Sequence, residues 1–210
     1  MIVAGIDEAG RGAAIGPMVI AIFAVEESLI AELRKIGVRD SKALTRSRRE
    51  RLFEELGRVN AKVAYRVVEP RTIDSSVRSR GGRGLNALEV DLFRELILEV
   101  RPDKVYIDSP YRNPRRVLEL LGELTGTTVL CEVRADARYE VVAAASVIAK
   151  VTRDRFVAPL GAGSGYPSDP RTIRYLREVA RSGAVPEHVR RSWKAFARAL
   201  TLDDFRAERR

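Results

Sequence analysis

Ile2-Val3-Ala4-Gly5-Ile6-Asp7-Glu8-Ala9-Gly10-Arg11-Gly12 opens the chain, and the expectations for the rest follow from it. Ile2 to Ile6 is a short unbroken apolar run, the pattern of a strand buried on both faces. Two carboxylates follow at once, and then two glycines flank an arginine. Met18 to Val25 is a second apolar run, so two strands are expected, with the acid pair at the end of the first. Asp7-Glu8 stands between an apolar strand and a Gly-rich loop, where no helix needs a cap. Glycines let a backbone approach a ligand closely and offer it amide donors. A tight turn between strands accounts for the same two residues equally well.

Outward from this segment, Thr45 is placed to cap a helix whose apolar positions are Leu52, Phe53, Leu56 and Val59. Lys62 to Val68 reads as a third strand, and the basic, Gly-rich stretch 78–84 as an exposed loop. Leu85, Leu88, Leu92, Leu96 and Val100 mark an amphipathic helix. Lys104 to Ile107 is a fourth strand. Asn113-Pro114 starts a helix with Val117, Leu118, Leu121 and Leu124 on its apolar face, and Thr127 to Val133 is a fifth strand. From Tyr139 to Phe156 the chain is apolar almost all round, which predicts a helix buried in the core. Ser146, Lys150 and Arg153 form a thin polar stripe on it at i, i+4 and i+7. Gly161 to Gly165 is the one linker-like segment, flexible by composition. Helices are then expected from Asp169-Pro170, from Pro186 and, last and short, from Thr201. The sum is an α/β fold with a mixed sheet, divided into a domain of residues 1–167 and a helical C-terminal lobe of residues 168–210.

Composition narrows the partners. With a net charge of +9 and a pI near 10.1, the chain of 210 residues suits a polyanion, nucleic acid before an anionic membrane surface. Its 38 basic residues comprise 32 Arg and 6 Lys, it has no Gln, and its Asn are only Asn60, Asn86 and Asn113. A shortage of amide side chains is one trend of heat-adapted proteins, and a GC-rich genome yields the same arginine excess. Cys131 stands alone, so no internal disulfide forms, which fits a reducing cytoplasm. No apolar run approaches the ~20 residues of a membrane span, and the N-terminus lacks the basic start of a signal peptide. A cytoplasmic protein without a membrane partner is expected.

Three of the strands end in carboxylates: Asp7 and Glu8 after the first, Asp108 after the fourth, and Asp136 three residues beyond Val133. Strands joined through helices tend to run parallel, which would bring these acids to one edge of the sheet. Any one of them taken alone reads more readily as an ordinary turn or capping residue, a reading that weakens for all of them together. Clustered carboxylates repel one another unless a cation joins them, and oxygen donors select hard ions such as Mg²⁺ or Mn²⁺. His188 and Cys131 are the only residues of their kinds, which rules out the usual zinc patterns. His188 alone reads as structural.

Together with the opening motif, Gly16-Pro17, Asp40-Ser41-Lys42, Gly84-Leu85-Asn86, Ile107-Asp108-Ser109 and Ala135-Asp136-Ala137-Arg138-Tyr139 occur in a characteristic order. So do the run Ala143 to Val151 and Gly163-Ser164-Gly165-Tyr166-Pro167-Ser168-Asp169. From residue 2 to about Trp193 the chain resembles ribonuclease HII (type 2 ribonuclease H) of the archaeal-like kind. The resemblance implies a ribonuclease H-like fold, with a five-stranded mixed sheet flanked by helices. Asp7, Glu8, Asp108 and Asp136 would bind two divalent ions, Mn²⁺ or Mg²⁺, and catalyse two-metal hydrolysis of RNA in RNA–DNA hybrids and of ribonucleotides embedded in DNA duplex. Products would carry 3′-hydroxyl and 5′-phosphate ends.

By the same resemblance Gly10, Arg11 and Gly12 read the ribose 2′-hydroxyl, Tyr166 packs on the following sugar, Ser41 and Lys42 contact backbone phosphate, and the enzyme is a monomer. Arg46, Ser146, Lys150 and Arg153 are further candidates for substrate contact, and Arg190, Arg191 and Lys194 for the nucleic-acid path, with ion pairs or a solvated basic face as the other explanation. Trp193 reads as core rather than as a base-stacking platform. Ala13-Ala14 and Pro110 depart from the family pattern, and neither removes a functional group. Ribonuclease HIII carries an N-terminal binding domain, and the six residues before Asp7 leave no room for one. A catalytically silent hybrid-binding protein is the other alternative, and the presence of all four acids argues against it.

Overall fold

The computed structural model describes residues 1–38, 45–77 and 81–207, with side chains through residue 201. Its centre is the opening strand. β1 (Ile2–Ala9) pairs antiparallel with β2 (Met18–Glu26), in register from Ile2 opposite Glu26 to Ala9 opposite Val19. Every residue of β2 from Met18 to Val25 is buried, so the unbroken apolar run reflects cover on both faces. The strand does not stop before the acids. Asp7 pairs with Ala21 and Glu8 with Ile20, so both carboxylates stand inside β1 rather than after it, because β2 keeps supplying partners as far as Val19. Alternation then buries Asp7 and leaves Glu8 partly exposed.

The other strands are β3 (Ala61–Val68), β4 (Lys104–Asp108) and β5 (Thr128–Glu132). The sheet order is β3-β2-β1-β4-β5, with β1, β4 and β5 mutually parallel, which makes the five-stranded mixed sheet that was expected. The helices begin with α1 (Ile30–Ile36) and α2 (Arg46–Leu56), the latter capped by the Thr45 side chain, which accepts from the Arg48 N–H. Then come α3 (Pro70–Ser76), α4 (Leu85–Val100), α5 (Arg115–Leu121) and α6 (Glu140–Val157). Asn113 Oδ1 accepts from Arg115 N–H at 3.2 Å just before α5, whose N-cap position is Pro114. On α4 the buried face is Val90, Phe93, Leu96, Ile97 and Val100, rotated from the leucine stripe: Leu88 and Leu92 are only half-buried.

One close approach positions the site. A β-carbon on Gly5 would lie 2.2 Å from the Val142 nitrogen, so only glycine lets α6 seat against β1 there. Gly5 and Asp7 share a face of β1, and Ser146 and Lys150 follow Val142 by one and two helical turns. Ser146 and Lys150 are thereby laid along Asp7.

The chain gathers into two compact units, Met1–Ala9, Val19–Arg66 and Asn86–Thr152 forming the first, and Gly10–Met18, Val67–Leu85 and Arg153–Arg210 the second. The first holds the sheet. The second is built on a core of Ala14, Ile15, Ala162, Leu176, Val179, Val189, Phe196 and Ala199, and Trp193 packs against it as expected. Its helices include α7 (Pro170–Ser182), capped by the Asp169 side chain, and α8 (Lys194–Ala207). The helix expected from Pro186 is not formed. Residues 186–193 make turns and an antiparallel bridge, Val189 opposite Ile15, flanked by Gly16 N–H to His188 O at 2.8 Å and Arg190 N–H to Ala14 O at 2.9 Å. That ladder takes the amides a helix would use. α8 starts only at Lys194 and runs straight through Thr201, where a separate last helix was expected.

The Gly161–Gly165 segment is not a slack linker. Ser164 N–H donates to Asp169 Oδ2 at 2.7 Å, Gly165 N–H to Thr172 Oγ1 at 3.0 Å, and Gly165 O accepts from Ala14 N–H at 2.8 Å. Among the described residues no helix is long and apolar enough to cross a membrane.

Candidate active site

In the first unit, Asp7 on β1, Asp108 at the end of β4 and Asp136 beyond β5 each present a carboxylate oxygen, all within 4.8 Å of one another. Parallel pairing explains how residues so far apart in sequence meet: the carboxyl ends of β1, β4 and β5 lie side by side. Asp136 rides on a 3-10 turn, Ala135–Ala137, entered through Arg134 in the left-handed conformation (φ 61°). Ala135 N–H donates to Asp108 Oδ1 at 3.2 Å and ties that turn to the neighbouring acid. Below it, Tyr139 stacks on Tyr106 with centroids 3.9 Å apart and donates its hydroxyl to Glu132 at 2.8 Å.

Asp7 and Asp136 are each 6% exposed. Burial pushes the Asp7 carboxyl well above the ordinary aspartate range, and the charges of Glu8 and Asp108 push it further, while the Ser146 hydroxyl and Lys150 oppose them. Glu8, on the outer side of the strand, acts on Asp7 as a neighbouring charge, and its own N–H donates to Asp7 Oδ1 at 2.8 Å. Three converging oxygens, one of them destabilised as an anion by its surroundings, fit a hard divalent cation: the donors are oxygen alone, and positive charge is what the cluster lacks. Ser146 is fully buried and Lys150 half-buried, and both attend Asp7.

In the second unit the Gly-Arg-Gly loop meets Tyr166. Gly10 N–H donates to the Tyr166 hydroxyl at 2.9 Å, joining residues 156 positions apart. Gly12 is exposed, and a β-carbon there would meet nothing within 4 Å. Arg153, a candidate phosphate ligand by sequence, is 1% exposed and stacks on the Tyr166 ring at 4.6 Å. Arg190, a candidate for the nucleic-acid path, is fully buried. Neither offers its guanidinium to an open surface. No local signal marked either one: on the same helix Arg153 is buried, Lys150 half-buried and Arg155 exposed, and Arg190 stands in a basic tail. Arg46 is exposed at the start of α2, and Arg191 and Lys194 are exposed as well. Ser41 and Lys42 lie outside the described residues. His188 faces the Tyr175 hydroxyl, Nε2 to Oη 2.6 Å, a structural pairing.

A five-stranded sheet of this order, with carboxylates gathered where its three parallel strands end, defines a ribonuclease H-like fold. Comparison with known proteins agrees. A Bst ribonuclease HIII structure in complex with Mn²⁺ superposes with a TM-score of 0.80 over all of this chain and 71% of its own, at 20% identity, a likeness of fold alone.

The more particular match is to the family described as ribonuclease HII, whose model matches residues 4–196. Ribonuclease HII of Pyrococcus horikoshii is 43% identical, covering 98% of this chain and 99% of that protein. The crystal structure of ribonuclease H2 from Pyrococcus horikoshii OT3 superposes with a TM-score of 0.86 at 42% identity, over 98% of this chain and 99% of its own. The chain belongs to the ribonuclease HII family, and is a metal-dependent ribonuclease H that cleaves RNA in RNA–DNA hybrids.

Proposed function

We propose that this enzyme cuts both the RNA strand of RNA–DNA hybrids and single ribonucleotides embedded in DNA duplex, leaving 3′-hydroxyl and 5′-phosphate ends. The observation that carries the reading is the trio Asp7, Asp108 and Asp136 with oxygens within 4.8 Å of one another. With Glu8 they would hold two divalent ions, Mn²⁺ or Mg²⁺. When bound, such ions activate water and stabilise the leaving 3′-oxygen of an in-line displacement.

The chain's own groups do the rest. Asp7 within β1, Asp108 at the end of β4 and Asp136 on the turn after β5 would hold the ions, and Lys150 balances part of the charge at Asp7. Gly10, Arg11 and Gly12 meet the 2′-hydroxyl with main-chain groups, and the Tyr166 ring packs on the following sugar, so that a deoxyribose leaves polar groups unpaired. Ser41, Lys42 and Arg46 take backbone phosphate. Ser146 and Lys150 serve the acids, and Arg153 serves substrate through Tyr166. The helical lobe of residues 168–210 adds basic contacts to the path of the nucleic acid, and the enzyme works as a monomer. A reducing compartment such as the cytoplasm suits its single cysteine.

The test is cleavage of a DNA duplex bearing one ribonucleotide, beside a long hybrid and an all-DNA control, with Mg²⁺ and Mn²⁺ compared and product ends analysed. Cleavage 5′ to or at the ribonucleotide with a 3′-hydroxyl product is expected. Tight hybrid binding without cleavage in either metal would identify a silent binder, and 2′,3′-cyclic ends would overturn the mechanism.

A further inference from the structure

We propose that Arg153 and Arg190 are positioning residues for ribose recognition: two buried guanidinium groups hold the Gly10–Gly16 loop and Tyr166 in one fixed arrangement. This rests on the reading above, in which that loop and Tyr166 meet the ribose. All the contacts lie within the second unit.

A buried arginine is costly unless its donors are used, and it has five in a planar fork. Arg153 is 1% exposed, and the nearest carboxylate oxygen, on Asp154, is 3.9 Å away, too long for a hydrogen bond. Main-chain carbonyls take its place. Nη2 donates to Ile15 O at 3.2 Å and to Ser164 O at 3.0 Å, so a single nitrogen joins the loop to the turn that carries Tyr166. The guanidinium plane lies under the Tyr166 ring, and Gly10 rests on its edge, where an added β-carbon would come within 2.3 Å of Nε. Arg153 therefore touches the loop at Gly10 and Ile15, and the tyrosine turn at Ser164 and Tyr166. The hydrogen bond from Gly10 N–H to the Tyr166 hydroxyl closes the ring of contacts.

Arg190 grips the same loop elsewhere. It is fully buried against Trp193, with Nη1 donating to Arg11 O at 3.1 Å and Nε to Gly16 O at 3.0 Å. Its own N–H donates to Ala14 O, and the two following N–H groups, of Arg191 and Ser192, are held by buried Asp74 at 2.8 and 3.0 Å. The consequence follows from peptide geometry. In a trans peptide the C=O of one residue and the N–H of the next point in opposite directions. With the Arg11 carbonyl turned to a buried guanidinium, the Gly12 N–H is aimed the other way, at a residue that is exposed and has open space around it. Arg190 thus aims a donor it does not itself supply. Recognition that relies on main-chain groups needs such an anchor, because no side-chain rotamer fixes them.

Lysine keeps the charge but has neither the two-nitrogen fork with which Arg190 holds the Arg11 and Gly16 carbonyls nor the guanidinium that Arg153 sets against the Tyr166 ring. Arg153→Lys and Arg190→Lys, in the full chain, are the test. With Ca²⁺ present to prevent turnover, affinity is measured for a duplex with one ribonucleotide and for its all-DNA counterpart. Mn²⁺ binding to the acids is measured separately by calorimetry. The expected result is a tenfold or greater fall in the ratio of the two affinities, with all-DNA binding and Mn²⁺ binding within about twofold of the parent, a pattern that simple loss of stability does not produce. Folded variants that keep the parent's ratio overturn the proposal and leave the reading of the loop intact. A parent ratio near one overturns that reading and the proposal with it. If neither variant folds, backbone relaxation of the parent decides: order parameters for residues 11–16 near 0.85 support the clamp, and values below about 0.6 overturn it.

Discussion

Gly10 and Gly12 look interchangeable in the sequence, and the structure makes them opposites. At Gly10 the backbone has φ +85°, which side-chain-bearing residues adopt at a cost of about 1–2 kcal/mol. A β-carbon there would also lie 2.3 Å from Arg153 Nε, 2.5 Å from its Cδ and 2.6 Å from the Pro17 carbonyl oxygen. Arg153 is enclosed and cannot swing into solvent, so relief requires shifting packed groups, roughly 1–3 kcal/mol more. Gly10→Ala is therefore expected to cost about 2–5 kcal/mol, which for a chain of this size lowers Tm by roughly 4–20 °C. At Gly12 nothing stands within 4 Å of the added atom and φ is not positive, so Gly12→Ala is expected within about ±0.5 kcal/mol of the parent. Its damage appears only with substrate, as weaker cleavage at an isolated ribonucleotide, and Gly12→Leu extends that damage. The assay pairs thermal melting of the metal-free protein with single-turnover cleavage of a duplex carrying one ribonucleotide. Equal Tm losses at the two positions, or full activity in Gly12→Leu, would refute the reasoning.

Asp7→Asn should lower cleavage by at least about a hundredfold, since a cation ligand worth several kcal/mol is lost. In metal-free buffer the same variant should melt higher than the parent at neutral pH. The raised Asp7 carboxyl contributes stability that is complete below its unfolded value of 3.8 and lost as pH rises through its higher folded value, so the difference should vanish in acid and reverse with saturating Mn²⁺. A parent that melts higher at neutral pH without metal would contradict the repulsion. Tyr166→Ala should slow cleavage of an isolated ribonucleotide by about 10²-fold or more, while Tyr166→Phe keeps the ring over Arg153 yet strips the acceptor from the buried Gly10 N–H, a cost of roughly 1–3 kcal/mol. Parent-like rates in Tyr166→Ala would make the residue structural. Hybrid affinity should fall about 500-fold between 50 and 200 mM salt, as for about five neutralised phosphates, and a flat titration would argue against the basic surface as the substrate path.

Much of this protein is legible from its amino-acid order, because local physics decides it. Apolar runs bounded by turn residues marked all five strands, Thr45 and Asp169 announced helix starts that their side chains do cap, and Asn113-Pro114 announced the start of α5. Acids at the ends of predicted strands were visible in the sequence, and parallel strands suggested that Asp7, Glu8, Asp108 and Asp136 converge; the oxygens of Asp7, Asp108 and Asp136 do meet, and Glu8 stands beside Asp7 as a neighbouring charge. What required the tertiary structure was everything set by pairing across long separations. β1 continues through Asp7 and Glu8 because β2 runs beside it, and residues 186–193 remain extended turns because Ile15 claims their backbone. The segment Gly161 to Gly165, flexible by composition, is fastened by donors and acceptors on Ala14, Asp169 and Thr172. Arg153 and Arg190 carry the same charge as any exposed arginine, and no local pattern tells the two kinds apart in a chain with 32 of them. Burial is a property of what folds over a residue, and hydrogen bonds to carbonyls 138 to 179 positions away exist only once the chain has closed.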